Sequence, residues 1–185
     1  MLSKLKPITS EKLKPITSKL IQIGIKPNHL TVFGLVSGVI ASISISCKSV
    51  YIGALFVLLS GFFDMLDGAL ARTYGLVSSF GEFLDSVVDR YVDILIFISL
   101  GIYGVDWLLI AIAMSGSLLV SYTRAKAEKI VERCDVGIAE RGERLILISI
   151  GLITGFVYQA VMIIAVLSHT TALHRIIFTF RKSRR

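Results

Sequence analysis

The feature that most constrains the fold is the recurrence of apolar runs of about 20 residues along the chain. A run of that length is what an α-helix needs to cross the hydrocarbon core of a bilayer. The apolar fraction, 54%, exceeds that of a typical soluble domain. The sequence therefore predicts an all-α integral membrane protein with six transmembrane helices.

The predicted spans are separated by short turns that contain polar residues or glycine. The last span is expected to continue toward Phe180 after a polar interruption at SHTT. Residues 27–185 are expected to form one membrane domain, preceded by a basic segment at 1–26. The spans are predicted at 29–47, 51–73, 79–104, 107–122, from the polar stretch ERGER to Phe156, and at 158–167.

The N-terminal segment contains a near-perfect duplication, with KLKPITS at 4–10 and again at 12–18. Pro7 and Pro15 are expected to prevent one continuous helix through both copies, because proline lacks the backbone amide hydrogen. Ser10 or Ser18 is expected to cap a short amphipathic helix that ends near Ile25 and lies at the membrane interface. An unstructured basic tail is the alternative.

The basic residues are distributed unevenly about the predicted spans. Most of the 20 Lys and Arg residues fall at one side of the membrane, and Lys48 alone lies at an opposite turn. The positive-inside rule then predicts a multi-pass protein of the cell membrane with both termini and the active site cytoplasmic. This distribution explains the net charge of +7 without nucleic acid as a partner. Cys47 and Cys134 fall on opposite sides, so no disulfide is expected.

Four carboxylates stand in an otherwise apolar part of the chain. Each pair occupies one face of a helix, because side chains three or four residues apart are neighbours. A break around 75–79 would fold the second helix beside the first and bring all four together. That geometry suits hard cations such as Mg²⁺ or Mn²⁺. The two pairs are Asp64 with Asp67, and Asp85 with Asp89.

Small residues and one arginine accompany these aspartates. Gly68, Ala71 and Gly81 leave room for a bulky anion to approach, although helix packing is a competing explanation. Arg72 is a bidentate donor matched to phosphate. Metal ligands beside such an arginine indicate phosphoryl-type displacement. A divalent-cation transporter and a structural membrane protein are the rival classes.

Here the chain resembles a known family. The pattern Asp67-Gly68-x2-Ala71-Arg72-x8-Gly81-x3-Asp85-x3-Asp89, preceded by Asp64, resembles the signature of the CDP-alcohol phosphotransferase family. Pro27-Asn28-x2-Thr31 is similar to the family's N-terminal pattern. The resemblance covers essentially the whole chain. It implies a six-helix membrane fold that is usually dimeric.

The resemblance also implies roles for individual residues. The four aspartates would bind divalent metal, Mg²⁺ or Mn²⁺, with two ions per site. Asp89 would be the catalytic base that takes the proton from the acceptor hydroxyl. CMP would leave from CDP-archaeol or CDP-diacylglycerol. The residues implied to bind the CDP-lipid are Asn28, Thr31, Gly68, Ala71, Arg72, Ser78 and Gly81.

A second group of charges bears on the acceptor alcohol. An acceptor that carries its own phosphate needs a cationic pocket, and the expected phosphate-binding residues are Arg124, Arg141, Arg144 and Arg175. The strings SYTRAKAE, GIAERGERLIL and LHR resemble the family branch that uses inositol phosphate, in its archaeal form. Glycerol phosphate remains the competing acceptor. Asp93 is expected to form a structural hydrogen bond or ion pair, and Glu82 to be peripheral.

Overall fold

A computed structural model describes residues 6–184, and within that range the chain forms seven helices and no strand. The predicted all-α class is confirmed. Residues 4 and 5, which begin the duplication, and the terminal Arg185 lie outside the described range. The helices are α1 (Lys6–Gln22), α2 (Pro27–Ser46), α3 (Val50–Thr73), α4 (Ser79–Tyr103), α5 (Trp107–Ala127), α6 (Arg141–Thr154) and α7 (Val157–Ser183).

Four of these helices, α2, α3, α5 and α7, are long and apolar enough to cross a membrane. This number fits a multi-pass membrane protein. Helix α4 has 25 residues, but its N-terminal half carries several charged side chains. Helix α6 has 14 residues, which at 1.5 Å per residue gives about 21 Å, less than the roughly 30 Å of a hydrocarbon core.

Helix α1 runs from Lys6 through the rest of the first copy and all of the second, so the prediction that proline divides them is wrong. Pro7 lies in the first turn, where a missing amide hydrogen leaves no helical bond unmade. Pro15 lies inside the helix, which nevertheless continues to Gln22 because its apolar face packs on the bundle. Ser10 and Ser18 are interior rather than capping residues. The packed residues are Leu13, Leu20 and Ile21 on α1, against Leu30, Leu66 and Leu70.

Helix α7 passes without a break through the polar stretch that was expected to interrupt it. Both threonine hydroxyls of that stretch find partners inside the protein, so these polar groups do not force a break. Thr170 donates to the carbonyl of Val166 at 2.8 Å. The hydroxyl oxygen of Thr171 accepts hydrogen bonds from the amides of Ile138 and Ala139, each at 3.2 Å.

The bundle core joins α2 to α3 and α4, α3 to α6, and α7 to both α5 and α6. Val92, Ile96 and Leu100 on α4 are fully buried and follow one helical face because they are four residues apart. Helices α2 and α4 touch at Gly38, where an added Cβ would lie 2.6 Å from Cγ1 of Val92.

The starts of α2, α4 and α6 and the end of α3 meet at one end of the bundle, where the aspartates lie. Cys47 caps α2 at the other end, whereas Cys134 lies between α5 and α6. Both cysteines are free, as predicted.

Candidate functional site

The aspartates of α3 and α4 come together near one end of the bundle. Asp64, Asp67 and Asp85 each offer a carboxylate oxygen, and these oxygens lie within 4.8 Å of one another. Asp67 is 5% exposed, and its Oδ2 accepts a hydrogen bond from the Thr31 hydroxyl at 2.8 Å. Thr31, near the start of α2, thus fixes the carboxylate of Asp67, near the end of α3.

These carboxylates line a small pocket between the helices, here called the aspartate cavity. Asp89 also faces it, so all four aspartates share one space. Contributions come from α2, α3, α4 and the first residue of α6. The lining residues are Thr31, Gly34, Ser60, Asp64, Asp67, Asp85, Val88, Asp89 and Arg141.

Arg141 lies among the aspartates. Its Nη1 is 2.7 Å from Oδ1 of Asp89 and 3.4 Å from Oδ2 of Asp64. Its Nε is 3.4 Å from Oδ1 of Asp93. One guanidinium therefore offsets negative charge on both α3 and α4, and it does so from the first residue of α6.

Asp93 forms a buried ion pair with Arg144, as expected of a structural residue. Nη2 of Arg144 lies 2.5 Å from Oδ2 of Asp93, and the two side chains are 3% and 7% exposed. Nη1 of the same arginine donates to the carbonyl of Ala139 at 3.0 Å. Arg144 therefore links α4 to the segment that precedes α6.

The residues expected to bind the nucleotide lie at the same end of the bundle. Ser78 caps α4, and its Oγ accepts a hydrogen bond from the amide of Gly81 at 3.1 Å. A Cβ on Gly81 would lie 3.3 Å from Oδ1 of Asn28, so the absence of a side chain lets α2 and α4 approach. On α3, a Cβ on Gly68 would lie 2.9 Å from Nη1 of Arg72. Ala71, which is half-buried, directly precedes Arg72.

Arg124 and Arg175 do not line the aspartate cavity and lie instead beside the segment that leads into α6. Both lie near Glu140, at 3.5 Å and 3.6 Å. Arg175 is 1% exposed, and its guanidinium donates to the carbonyls of Val136 and Val120. Arg124 is partly exposed and forms further ion pairs with Glu128 at 2.9 Å and Asp135 at 3.2 Å.

Ser60 and Glu140 were not among the residues predicted for the site. Ser60 lies four residues before Asp64 on α3, and that helical spacing was an available signal. Glu140 directly precedes Arg141, and no spacing rule marks it. Exposed Glu82 does not line the aspartate cavity, which agrees with its expected peripheral position.

The donor atoms of the aspartate cavity fit a hard divalent cation. Carboxylate oxygens are the ligands that Mg²⁺ and Mn²⁺ take in proteins. Three of them come from different carboxyl groups within mutual reach. The aspartates also have partners that hold them in place: the Thr31 hydroxyl bonds Asp67, and the Arg141 guanidinium contacts Asp64 and Asp89.

Known proteins resemble this chain over nearly its whole length. A sequence model of the CDP-alcohol phosphatidyltransferase family matches residues 25–179. Archaetidylinositol phosphate synthase of Pyrococcus horikoshii is 38% identical over 178 residues, which cover 95% of each chain. The crystal structure of Mycobacterium tuberculosis phosphatidylinositol phosphate synthase with CDP-DAG bound has a TM-score of 0.79 at 29% identity, covering 94% of both chains. The structure of that enzyme with manganese and citrate has a TM-score of 0.78 at 29% identity, covering 90% of this chain and 88% of the other.

Proposed function

The chain belongs to the CDP-alcohol phosphatidyltransferase family, and we propose that it transfers a lipid phosphate group from a CDP-linked lipid to inositol phosphate. The transferred group is archaetidyl or diacylglycerol phosphate, and CMP is released. The observation that carries this proposal is the meeting of four aspartates from α3 and α4 in one cavity. The protein is therefore a transferase of phospholipid biosynthesis.

The choice of acceptor and donor rests on the relatives. The archaeal relative is a synthase of archaetidylinositol phosphate, and the structural neighbour is a phosphatidylinositol phosphate synthase with CDP-DAG bound. Both names favour inositol phosphate over glycerol phosphate. Family membership also disfavours a divalent-cation transporter. The two candidate donors are CDP-archaeol and CDP-diacylglycerol.

We assign metal binding to Asp64, Asp67, Asp85 and Asp89, with two Mg²⁺ or Mn²⁺ ions per site. The neighbouring structure with manganese and the all-carboxylate donor set support this assignment. When bound, divalent metal supplies positive charge that stabilises the phosphate oxygens during displacement. Asp67 is oriented for binding by the hydroxyl of Thr31.

We assign the role of base to Asp89. Its carboxylate takes the proton of the acceptor hydroxyl while the hydroxyl oxygen forms a bond to the lipid-side phosphorus. The bond from that phosphorus to the bridging oxygen breaks, and CMP leaves with the oxygen. Arg141, 2.7 Å from Oδ1 of Asp89, orients this carboxylate and offsets its charge.

The nucleotide side of the site comprises Asn28, Thr31, Gly68, Ala71, Arg72, Ser78 and Gly81. Two observations support an anionic ligand there. The N-termini of α2 and α4 lie close together, as the approach of Asn28 to Gly81 indicates, and helix N-termini favour negative charge. The second is Arg72, one turn after Gly68 on α3: its guanidinium lies over that glycine, where an added Cβ would be 2.9 Å from Nη1, and its planar fork matches a phosphate.

We assign the acceptor phosphate to the side of the cavity that α6 forms. Arg141 lines the aspartate cavity and Arg124 is partly exposed, so these two are the direct ligands. Arg144 and Arg175 are almost fully buried. We therefore assign them a supporting role, in which they fix Asp93 and the segment between α5 and α6.

The topology we propose has six helices, α2 to α7, in the cell membrane, within a domain of residues 27–185. Helix α1 lies at the interface as part of the basic segment 1–26. Its lysines at 12, 14 and 19 are exposed while its leucines pack on the bundle, an arrangement suited to anionic lipid head groups. The basic end of the bundle, with both termini and the aspartate cavity, faces the cytoplasm. The family resemblance supports a homodimer.

The experiment measures CMP release by the purified protein in mixed micelles with a CDP-linked lipid and Mg²⁺. Inositol phosphate, glycerol phosphate, inositol and serine are offered side by side. We expect release with inositol phosphate and its loss in Asp89→Asn. Glu82→Gln is the matched control, because Glu82 lies on the same helix away from the cavity.

Undiminished CMP release by Asp89→Asn would overturn the proposed chemistry. Release with glycerol phosphate alone would overturn the acceptor and leave the reaction class in place. Because the two results differ, one assay separates the two parts of the proposal.

A further inference from the structure

Ser60 is a buried polar residue in the aspartate cavity to which no role has yet been assigned. It lies on α3, one turn before Asp64, and is 1% exposed. Ser60 is one of the residues that line the cavity. Among the residues that the structure describes, Oγ of Ser60 has no hydrogen-bond partner.

Four of the other six buried serines in the part of the chain that the structure describes behave differently. Each of these four donates to a backbone carbonyl three or four residues earlier, the usual arrangement for serine in a helix. Ser168 also lacks a partner, but it packs on Gly116 of α5 rather than on the cavity. The serines that bond their own helix are Ser42 at 2.9 Å, Ser99 at 2.7 Å, Ser117 at 2.8 Å and Ser149 at 2.9 Å.

A buried hydroxyl without a partner costs about 1–3 kcal/mol, so its partner should come from the cavity that it lines. The protein groups there are mainly carboxylates, which only accept hydrogen bonds. A water molecule can accept from Ser60 and donate to two of these carboxylates, which gives the buried hydroxyl its missing partner. Gly34 lines the same cavity from α2 and, having no side chain, leaves room opposite Ser60.

We propose that Ser60 is a positioning residue that holds a water molecule at the inner end of the aspartate cavity. That water hydrogen-bonds the metal-binding carboxylates and fixes their orientation. Ser60 lies four residues deeper in the bundle than Asp64, which is about 6 Å along the helix. The inference rests on the proposed metal site, and it adds a residue that acts through the aspartates.

Removal of a hydrogen-bond partner that orients metal ligands weakens metal binding by about 10–100-fold. Ser60→Ala should therefore raise the dissociation constant for Mn²⁺ by about tenfold or more. The same variant should not lower the unfolding temperature in the absence of added metal. Alanine favours a helix more than serine does, and the change removes a buried hydroxyl that the protein itself leaves unsatisfied.

The test measures Mn²⁺ binding to the full chain in detergent micelles by the electron paramagnetic resonance signal of free Mn²⁺. Wild type, Ser60→Ala and Ser117→Ala are compared. Ser117 is the matched control because it is equally buried, at 1% exposure, and lies on α5 away from the cavity. Thermal unfolding of the same samples without added metal is the second measurement.

We expect weaker Mn²⁺ binding in Ser60→Ala alone, with unfolding temperatures that do not fall. Wild-type affinity in Ser60→Ala would overturn the inference and leave the metal site intact. A fall in unfolding temperature that accompanies the weaker binding would also overturn it, since Ser60 would then be a packing residue. Absence of Mn²⁺ binding in wild type would overturn both this inference and the proposed metal site.

Discussion

The ion pair between Asp93 and Arg144 gives the sharpest quantitative prediction. Asp93→Asn preserves the shape of the side chain and removes its charge, which leaves Arg144 buried without a counter-charge. The two side chains are 7% and 3% exposed. Unit charges about 4 Å apart at an effective dielectric constant of about 20 interact by about 4 kcal/mol. Removal of one partner of a buried ion pair costs about 3–5 kcal/mol, which agrees with this interaction energy.

The contact of Arg141 with Asp93 changes this magnitude little. It is longer, at 3.4 Å, and Arg141 keeps its closer partner, Asp89, when Asp93 is neutral. We therefore expect a loss of about 4 kcal/mol in the free energy of unfolding. For a chain of this length that corresponds to a fall of about 8–16 °C in the unfolding temperature.

The assay is thermal unfolding of four proteins in one detergent: wild type, Asp93→Asn, Arg144→Met and the double variant. The double variant should be more stable than the sum of the single losses predicts, because it leaves neither charge unpaired. Glu82→Gln, an exposed change on the same helix, is the control and should unfold with wild type. If Asp93→Asn unfolds within about 2 °C of wild type yet loses transfer activity, the structural role of Asp93 is refuted.

Two further predictions concern α2. Gly38→Ala should lower the free energy of unfolding by about 1–3 kcal/mol, because its Cβ would lie 2.6 Å from Cγ1 of Val92. In Gly34→Ala the new Cβ would meet ordinary contacts at 3.6 Å, so its free energy of unfolding should stay near that of wild type. Equal losses of stability in Gly38→Ala and Gly34→Ala would contradict this reasoning. Thr31→Val removes the 2.8 Å hydrogen bond to Asp67 and should weaken Mn²⁺ binding about tenfold. Unchanged affinity in a titration would show that this bond does not orient Asp67.

The parts of the site that helix periodicity controls could be predicted from the sequence. Spacings of three and four residues place carboxylates on one helical face whatever the surrounding fold. The short break after Thr73 then brings Asp85 beside Asp64. The helices were predictable for the same reason, since a long apolar segment in a membrane must satisfy its backbone groups internally.

The parts that depend on contacts between distant segments could not be predicted. In the sequence, an arginine that faces solvent cannot be distinguished from one that meets a buried carboxylate. Only the packing of α6 on α3 brings Arg141 to Asp64. Pro15 was expected to prevent one continuous helix. The apolar contacts of α1 with α3 outweigh the unfavourable effect of proline inside a helix. Ser60 was overlooked because serine is common in membrane helices, and its unusual feature is a missing bond to its own backbone.

The hydrogen bonds from α7 to the segment 128–140 affect which sequence changes this protein tolerates. Arg175 and Thr171 bond the backbone of that segment, and Arg141 follows it immediately. Among the described residues, none of α7 lines the aspartate cavity. A screen for inactive variants should nevertheless recover α7 positions together with the aspartates. Retention of activity would then constrain the sequence of α7 as strictly as it constrains the helices that line the cavity.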